Sequence, residues 1–369
     1  MAVNISKRLK YARTRAGLTL TQVRERSDIG ESSVSEFENG HRDPSVAQLA
    51  KLAKTYNRSV SFFLGDDPVL SERVLWRLRP DTGAEAIETH FLRLCEQYAN
   101  LERWTGCGRG ADLPQPPARD AGDFDFGDAR KLAKLVRDEF QFGDRPGPCL
   151  HHVLEEVCCV KIFHLRFQPT GTAASTVSES VGRAVLLNAG NIAWRRTFDL
   201  AHELFHLLTW NLFHAKETDG TVATDREEKL ATCFASNFLM PTDAVQPALE
   251  ESMQHGRIRF ESLFDVARQF DVSVEALLWR MHFLYSRSEE RTRADIEAGR
   301  VLAPRLEERE RIDPRVYPAR YRAVAIRALK QGEISIGRFA EYLDMSRQDA
   351  MRYAEQEATD AEEVQVAPG

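Results

Sequence analysis

In the stretch FDLAHELFHLLTW, residues 198–210, two histidines and a glutamate interrupt a run that is otherwise almost wholly apolar. Positions four apart on a helix share a face, so His202 and His206 project side by side, near enough to grip one small cation. Glu203 follows the first histidine, which sets its carboxylate beside such an ion without making it a ligand. Zinc takes nitrogen and oxygen ligands, and a site that works on water must keep one position open. The ion brings bound water to a pKa of about 7, and a free carboxylate can take the released proton and pass it to a leaving amine. The alternative is a helix whose histidines pair with buried polar groups. Burying two imidazoles and a carboxylate without compensation is costly, and a dication offsets most of that cost.

A third ligand has to come from elsewhere. The metzincin extension would need glycine at position 209 and histidine at 212, where this chain has Thr209 and Leu212, so that class is excluded. His214 lies in the irregular stretch NLFHAKETDG. The stretch DREEKLATCFASNFLMP reads as a second helix stopped by Pro241, and it offers Glu227 and Glu228. A glutamate from a following helix is an established way to complete a zinc site. Helical geometry alone does not choose between the two acids.

The paired motifs RRTFDLAHELFHLL and EEKLATCFASNFLMP resemble those of the ImmA/IrrE-type zinc peptidases, over about residues 128–245 and including the strand AVLLN. Aligning Ala231, Phe234, Ala235 and Leu239-Met240-Pro241 with that family's second motif puts the ligand glutamate on Glu228. The resemblance implies a zincin-like fold, Zn2+ held by His202, His206 and Glu228, and Glu203 as the catalytic carboxylate. It also implies a zinc metalloendopeptidase; known members cut a DNA-binding repressor and so release genes for mobile-element transfer or stress response. Although no particular substrate carries over, a partner repressor or regulatory protein is the expected one.

Those helices sit in a chain of 369 residues, 43% apolar and 29% charged, which suits two or three soluble domains. Net charge is −6 but unevenly spread: residues 1–60 hold eleven Lys/Arg against six Asp/Glu. A basic head on an acidic body suggests that the head meets a polyanion. The head reads as five short helices. Ile5, Leu9, Ala12 and Leu18 fall at helical spacing; Thr19 with Gln22 is a capping box opening the second helix. SDIG makes a turn, ESSVSEFEN a third helix ending at Gly40, and Asp43-Pro44-Ser45 starts a fourth that carries Val46, Leu49, Leu52 and Ala53 inward. Two short helices around a tight turn suit a DNA major groove. Ser32, Ser33, Ser35 and Glu36 would lie near base edges, with Gln22, Asn39 and Arg42 near phosphates or flanking bases. The alternative is a plain helical bundle whose serines face solvent. Leu9, Arg13, Gly17, Leu18, Thr19, Val34, Ser35, Phe37, Glu38, Gly40 and Pro44 carry a resemblance to the lambda-repressor-like (XRE) helix-turn-helix family. That resemblance implies binding to double-stranded operator DNA, with heads working in pairs and hence a homodimer.

The expected organisation is 1–65 a helix-turn-helix domain, 66–127 a helical connector and linker, 128–245 the peptidase domain, 246–354 a helical C-terminal region and 355–369 an acidic disordered tail. In the connector, SERVLWRLRP and IETHFLRLCEQYANLERW both show helical spacing, and GCGRGADLPQPPARDAGDFDFG reads as linker. DARKLAKLVRDEF and CLHHVLEEV are expected helices, VKIFHLRF and GRAVLLN strands, and QPTGTAASTVSES an exposed loop or irregular edge. The fold class is therefore mainly α with a small β-sheet, an α+β arrangement. His151, His152 and His164 lack partners at ligand spacing and are expected on a solvated or satisfied surface. Two tail segments, SLFDVARQFDVSVEALLWRM and GRFAEYLDMSRQDAMRYAE, each resemble half of a helix-turn-helix and are expected to pack or bind a partner. Six cysteines with no CxxC pair are expected to be reduced thiols. No apolar run approaches the roughly 20 residues that span a bilayer, and the N-terminus lacks a signal peptide's apolar segment, so no membrane role and a cytoplasmic location are expected. The sequence thus reads as a DNA-binding regulator with zinc-dependent endopeptidase activity. Its rival is a non-proteolytic repressor or antitoxin whose peptidase-like domain only senses a ligand or partner.

Overall fold

The fold was taken from a computed structural model that describes residues 5–16, 18–56, 58, 60–64, 73–118, 120–178, 180–214, 222–302 and 314–360. The chain divides into two compact units, Met1–Val74 with Arg79–Gln97 and Leu75–Leu78 with Tyr98–Gly369. The class is α+β: many helices and one small sheet. All six cysteines are free. Among the described residues, no helix is long and apolar enough to cross a membrane.

The first unit opens with five helices, α1 (Ile5–Arg15), α2 (Leu20–Ser27), α3 (Glu31–Glu38), α4 (Val46–Thr55) and α5 (Val60–Leu64). Their apolar faces meet in one core around Leu9, Val23, Val34, Phe37, Leu52 and Phe63. The capping box at Thr19 forms: its hydroxyl accepts from the Gln22 N–H, and the Gln22 side chain accepts from the Thr19 N–H. A second box, Ser45 with Gln48, starts α4. Asp28 ends α2 in the left-handed region at φ +58, a conformation that short polar side chains tolerate. Arg13 grips Glu38 with two nitrogens at 2.7 and 2.8 Å, tying α1 to α3. The inward role expected of Val46 is corrected. It is 81% exposed, because it is the first residue after the Ser45 cap and points away from the face that carries Leu49 and Leu52.

The second unit is built on a four-stranded sheet in the order β1-β3-β4-β2. Its strands are β1 (Leu75–Trp76), β2 (Lys161–Leu165), β3 (Ala173–Ser178) and β4 (Gly182–Asn188). The β1–β3 and β3–β4 pairs run antiparallel and the β2–β4 pair parallel. Two expectations fail here. LWRL is not helical: Leu75 and Trp76 pair with Ser175 and Ala174, so burial on a sheet overrides a helical spacing that rested on few residues. TAASTVS is not a loop but an inner strand. Its small side chains carry little apolar signal, yet Ala173, Ala174 and Ser175 are wholly buried. Register puts Ala173 opposite Leu187 and Ser175 opposite Val185, so Ala173 and Ser175 share the sheet face that joins the main core.

Helix α6 (Ala84–Thr105) leads to the Gly- and Pro-rich segment, which is irregular as expected but not a loose linker. Leu113 and Phe124 are buried, and the Arg226 guanidinium donates to the carbonyls of Ala121, Gly122 and Phe124. Then come α7 (Phe126–Glu139), α8 (Gly147–His152) and a π-turn over Val153–Val157. Helix α9 (Ala193–Phe213) packs on β3 and β4, and α10 (Asp225–Leu239) packs on α9 and α7, meeting α9 through Phe205 and Phe234 at 5.8 Å between ring centres. Beyond them lie α11 (Thr242–Ser252), α12 (Phe260–Gln269), α13 (Val274–Leu284) and α14 (Glu289–Leu302), then helices Ala319–Lys330, Ile336–Tyr342 and Arg347–Asp360. The last of these contradicts disorder for residues 355–360; the remainder of the acidic tail, 361–369, lies outside the described residues.

His164 on β2 is 7% exposed rather than on the surface, its ring stacked on His151 at 5.7 Å. Burial, with the His151 ring and the Arg196 charge nearby, pulls it down to about 3. The unfolded chain takes up a proton near pH 6.5 that the folded ring refuses, so this contribution to stability is whole above 6.5 and declines as pH falls. Relative to His164→Gln, the native chain should lose up to about 1.4 kcal/mol of unfolding free energy per pH unit below that point. Urea unfolding across this range checks it; a constant difference between the two proteins rejects it.

Candidate functional site

Helix α9 is buried on all sides from Asp199 to Trp210, which is why its sequence is apolar nearly all round. Within that buried stretch the His202 and His206 rings lie 5.2 Å apart, centre to centre, both essentially unexposed. Helix α10 comes alongside. The Thr224 hydroxyl caps it by accepting from the Glu227 N–H, and this places Glu227 and Glu228 in the first turn, where the positive end of the helix favours carboxylates. Glu228 Oε2 sits 3.1 Å from His202 Nε2 and Oε1 3.5 Å from His206 Nε2. One ligand atom from each of His202, His206 and Glu228 lies within 4.8 Å of the others.

These residues fit a metal ion. Despite their proximity the groups are not aligned as hydrogen bonds: both His202 nitrogens, His206 Nε2, Glu228 Oε1 and both Glu203 oxygens are buried with no hydrogen-bond partner. A buried polar atom left unpaired costs about 1–3 kcal/mol, and here six lie in one cluster, with one atom each from His202, His206 and Glu228 drawn together. Two nitrogens and an oxygen form a donor set that zinc accepts with one position left over.

Around them stands a supporting layer. A single oxygen, Glu227 Oε1, contacts His206 Nδ1 at 2.9 Å and His214 Nε2 at 2.8 Å. Glu227 and His214, both candidates for the third ligand in sequence, therefore brace His206 from behind. His206, His214 and Glu227 also cluster closely enough to hold an ion, but their facing atoms are already hydrogen-bonded to one another. Asp199, one turn before His202, accepts from Arg195 at 2.9 Å, Asn191 at 2.9 Å and Arg77 at 3.1 Å. Arg77 also places Nε 3.7 Å from Glu228 Oε2, linking the two carboxylates. Sequence reasoning missed Arg77, Asn191, Asp199 and Ser175. Of these only Asp199 left a trace, as one more ionisable group in an apolar helix.

Burial lowers His202 to about 4. It would lower His206 too, but the hydrogen bond to Glu227 and the nearby Glu228 carboxylate raise that ring to about 10. Burial would raise both carboxylates, and their histidine partners instead bring each to about 2. Glu203 has no such donor set; the Ser175 hydroxyl faces it without closing a full hydrogen bond, and burial pushes it up to about 7. A carboxyl at that value can both accept and return a proton near neutrality. Glu227→Gln should weaken metal affinity about 10–100-fold, the usual effect of losing a carboxylate behind a ligand histidine. Competition with a chromogenic chelator measures this, and unchanged affinity would remove Glu227 from the support of His206.

On the other unit, α3 presents Ser32, Ser33, Ser35, Glu36 and Asn39 on exposed or half-buried positions, with Gln22 and Arg42 also exposed. Arg42 lies over the Phe37 ring at 5.0 Å and 3.5 Å from Glu36; Asn39 donates to the Ser35 hydroxyl at 3.3 Å. The Gln22 carbonyl oxygen is engaged in the α2 cap.

Residues 156–282 match the family described as IrrE N-terminal-like domain, and residues 9–63 match the helix-turn-helix family. Over 67 residues the chain is 40% identical to the HTH-type transcriptional regulator ImmR of Bacillus subtilis (strain 168), covering 18% of this chain and 53% of ImmR. The chain therefore spans about half the length of the curated relative it matches. Two solved structures align at low similarity. The apo form of ComR from S. thermophilus is 14% identical with a TM-score of 0.17, covering 84% of this chain and 96% of ComR. Bacillus thuringiensis PlcR, in complex with the peptide PapR7 and DNA, is 12% identical with a TM-score of 0.17, covering 99% and 100%. Overlaps that weak carry no argument about the fold. The first unit thus carries a segment that matches the helix-turn-helix family, and the second a segment that matches the IrrE N-terminal-like domain.

Proposed function

We propose that this chain is a DNA-binding transcriptional regulator whose second unit is a zinc-dependent endopeptidase acting on a protein partner of the repressor kind. The observation that carries the reading is the convergence of unpaired nitrogens from His202 and His206 and a Glu228 oxygen beside an equally unpaired Glu203. When bound, zinc would activate a water and polarise the peptide carbonyl. His202, His206 and Glu228 would hold the ion, with Glu227 fixing the His206 ring and Arg77 restraining Glu228. Glu203 would take a proton from the attacking water and hand it to the amine of the departing peptide half. Its buried setting keeps the proton in reach near neutral pH.

Incubating the purified, zinc-loaded protein with DNA-binding regulators from the same source, then identifying new N-termini, tests the proposal. Cleavage should occur with the wild type, stop with chelator, and fall about 10²–10⁴-fold in Glu203→Gln, which should still bind zinc. Absence of cleavage by the metal-loaded protein would favour a regulator that uses this unit only to sense a ligand or partner.

The match to the helix-turn-helix family and the likeness to ImmR support the regulatory half. Ser32, Ser33, Ser35 and Glu36 on α3 would approach base edges of the operator, with Gln22, Asn39 and Arg42 at its flanks, in a pair of copies reading paired half-sites. Arg42→Ala should weaken binding to all duplexes about equally and reduce the slope of log affinity against log salt by about one. Fluorescence anisotropy at several salt concentrations measures both; an unchanged slope would remove Arg42 from the phosphate contacts.

A further inference from the structure

We propose that the cavity beside the first turns of α9 is a second ligand site, one that takes a small molecule through an oxyanion, either carboxylate or phosphate. The cavity measures about 480 Å³, within the roughly 300–1,000 Å³ of small-molecule sites. It lies between α8 with the π-turn, strand β2, the start of α9 and residues 314–319, all in the second unit. π-Turns interrupt helices mostly at functional sites, and this one lines the cavity with Glu155 and Glu156.

Its chemistry favours an anion. Arg196 and Arg315 bring two permanent positive charges to the walls, and the Arg196 guanidinium is fixed by donating to the Asn191 carbonyl. The N-cap of α9, Ile192, has no side-chain oxygen to occupy the first-turn N–H groups, and Ala193 of that turn borders the cavity. Amide groups at such a terminus suit an oxyanion. His151 and His164 stack in the wall at 5.7 Å; burial disfavours the charged form of both rings, and the His164 ring is tied by a hydrogen bond to the Arg315 backbone. The other titratable neighbours are His152, Tyr317 and the two acids. Glu155 is committed elsewhere, with one oxygen accepting the Arg320 N–H at 2.8 Å and the other 3.5 Å from His151. Glu156 stands exposed at the rim. Leu200, which also lines the cavity, precedes His202 by two positions, so an occupant would touch the same helix that carries the metal ligands. The inference holds whether or not the second unit cuts peptides.

The test is calorimetric titration of the full chain with inorganic phosphate and, separately, with acetate, at constant ionic strength. At least one anion should bind, and whichever binds more tightly tells whether the natural ligand carries phosphate or carboxylate. Arg315→Gln, at an exposed position where folding is not at risk, should weaken that binding about tenfold or more. Arg42→Ala should leave it unchanged, which separates the cavity from the DNA-facing surface. Hydrogen exchange in the first turns of α9 should slow on binding. No binding of either anion to the wild type, or equal binding in Arg315→Gln, overturns the proposal.

Discussion

Three ionisable side chains from one buried helix and one from its neighbour crowd into a single small space. Such a group of rings and carboxylates is tolerable only if something links them, because an isolated buried charge costs far more than a folded domain can spare. Proton sharing covers part of the demand: Glu227 links His206 to His214, and Asp199 gathers three donors. It does not reach the centre, where atoms of His202, His206, Glu228 and Glu203 remain without a hydrogen bond. A cation would close that gap, and the surrounding hydrogen bonds would then serve as the scaffold that holds its ligands apart.

The rest of the second unit follows from holding α9 and α10 in that relation. The helices lock through stacked and tilted phenylalanines and a shared apolar core. The small residues of β3 let α9 lie close to the sheet, which puts Ser175 next to Glu203. Anchoring of the Gly- and Pro-rich segment by Arg226 fixes the residue immediately before Glu227, so that the first turn of α10 is held from both sides. The first unit obeys separate rules: two capping boxes and a bidentate ion pair arrange five short helices so that α3 keeps its polar face outward.

Much of this was readable from residue order. His202, His206 and Glu203 declare themselves by spacing, because one element carries all three and a helix has a fixed period. Glu228 needed the family likeness, since Glu227 beside it has the same chemistry and only the orientation of α10 sets one carboxylate beside His202 and the other beside His214. The five helices of the head were legible through caps and periodicity, with Val46 misjudged because its place at the helix start outweighs its apolarity. What escaped is long-range. Leu75 and Trp76 are strand only because β3 lies next to them, and β3 hides because alanine, serine and threonine announce burial weakly. Arg77 reaches Asp199 across 122 positions, and no local pattern could have suggested it.

That arginine bears on how the molecule can be taken apart. The strand that delivers it precedes the segment shared with the IrrE N-terminal-like family by about eighty residues, on the far side of α6 and the Gly- and Pro-rich stretch. A fragment cut at the obvious junction would retain His202, His206, Glu203 and Glu228 yet strand Asp199 without one of its donors and leave the sheet with a raw edge at β3. The second unit is therefore not a freely detachable cassette: separating it from the first intact means keeping residues 75–78 with it.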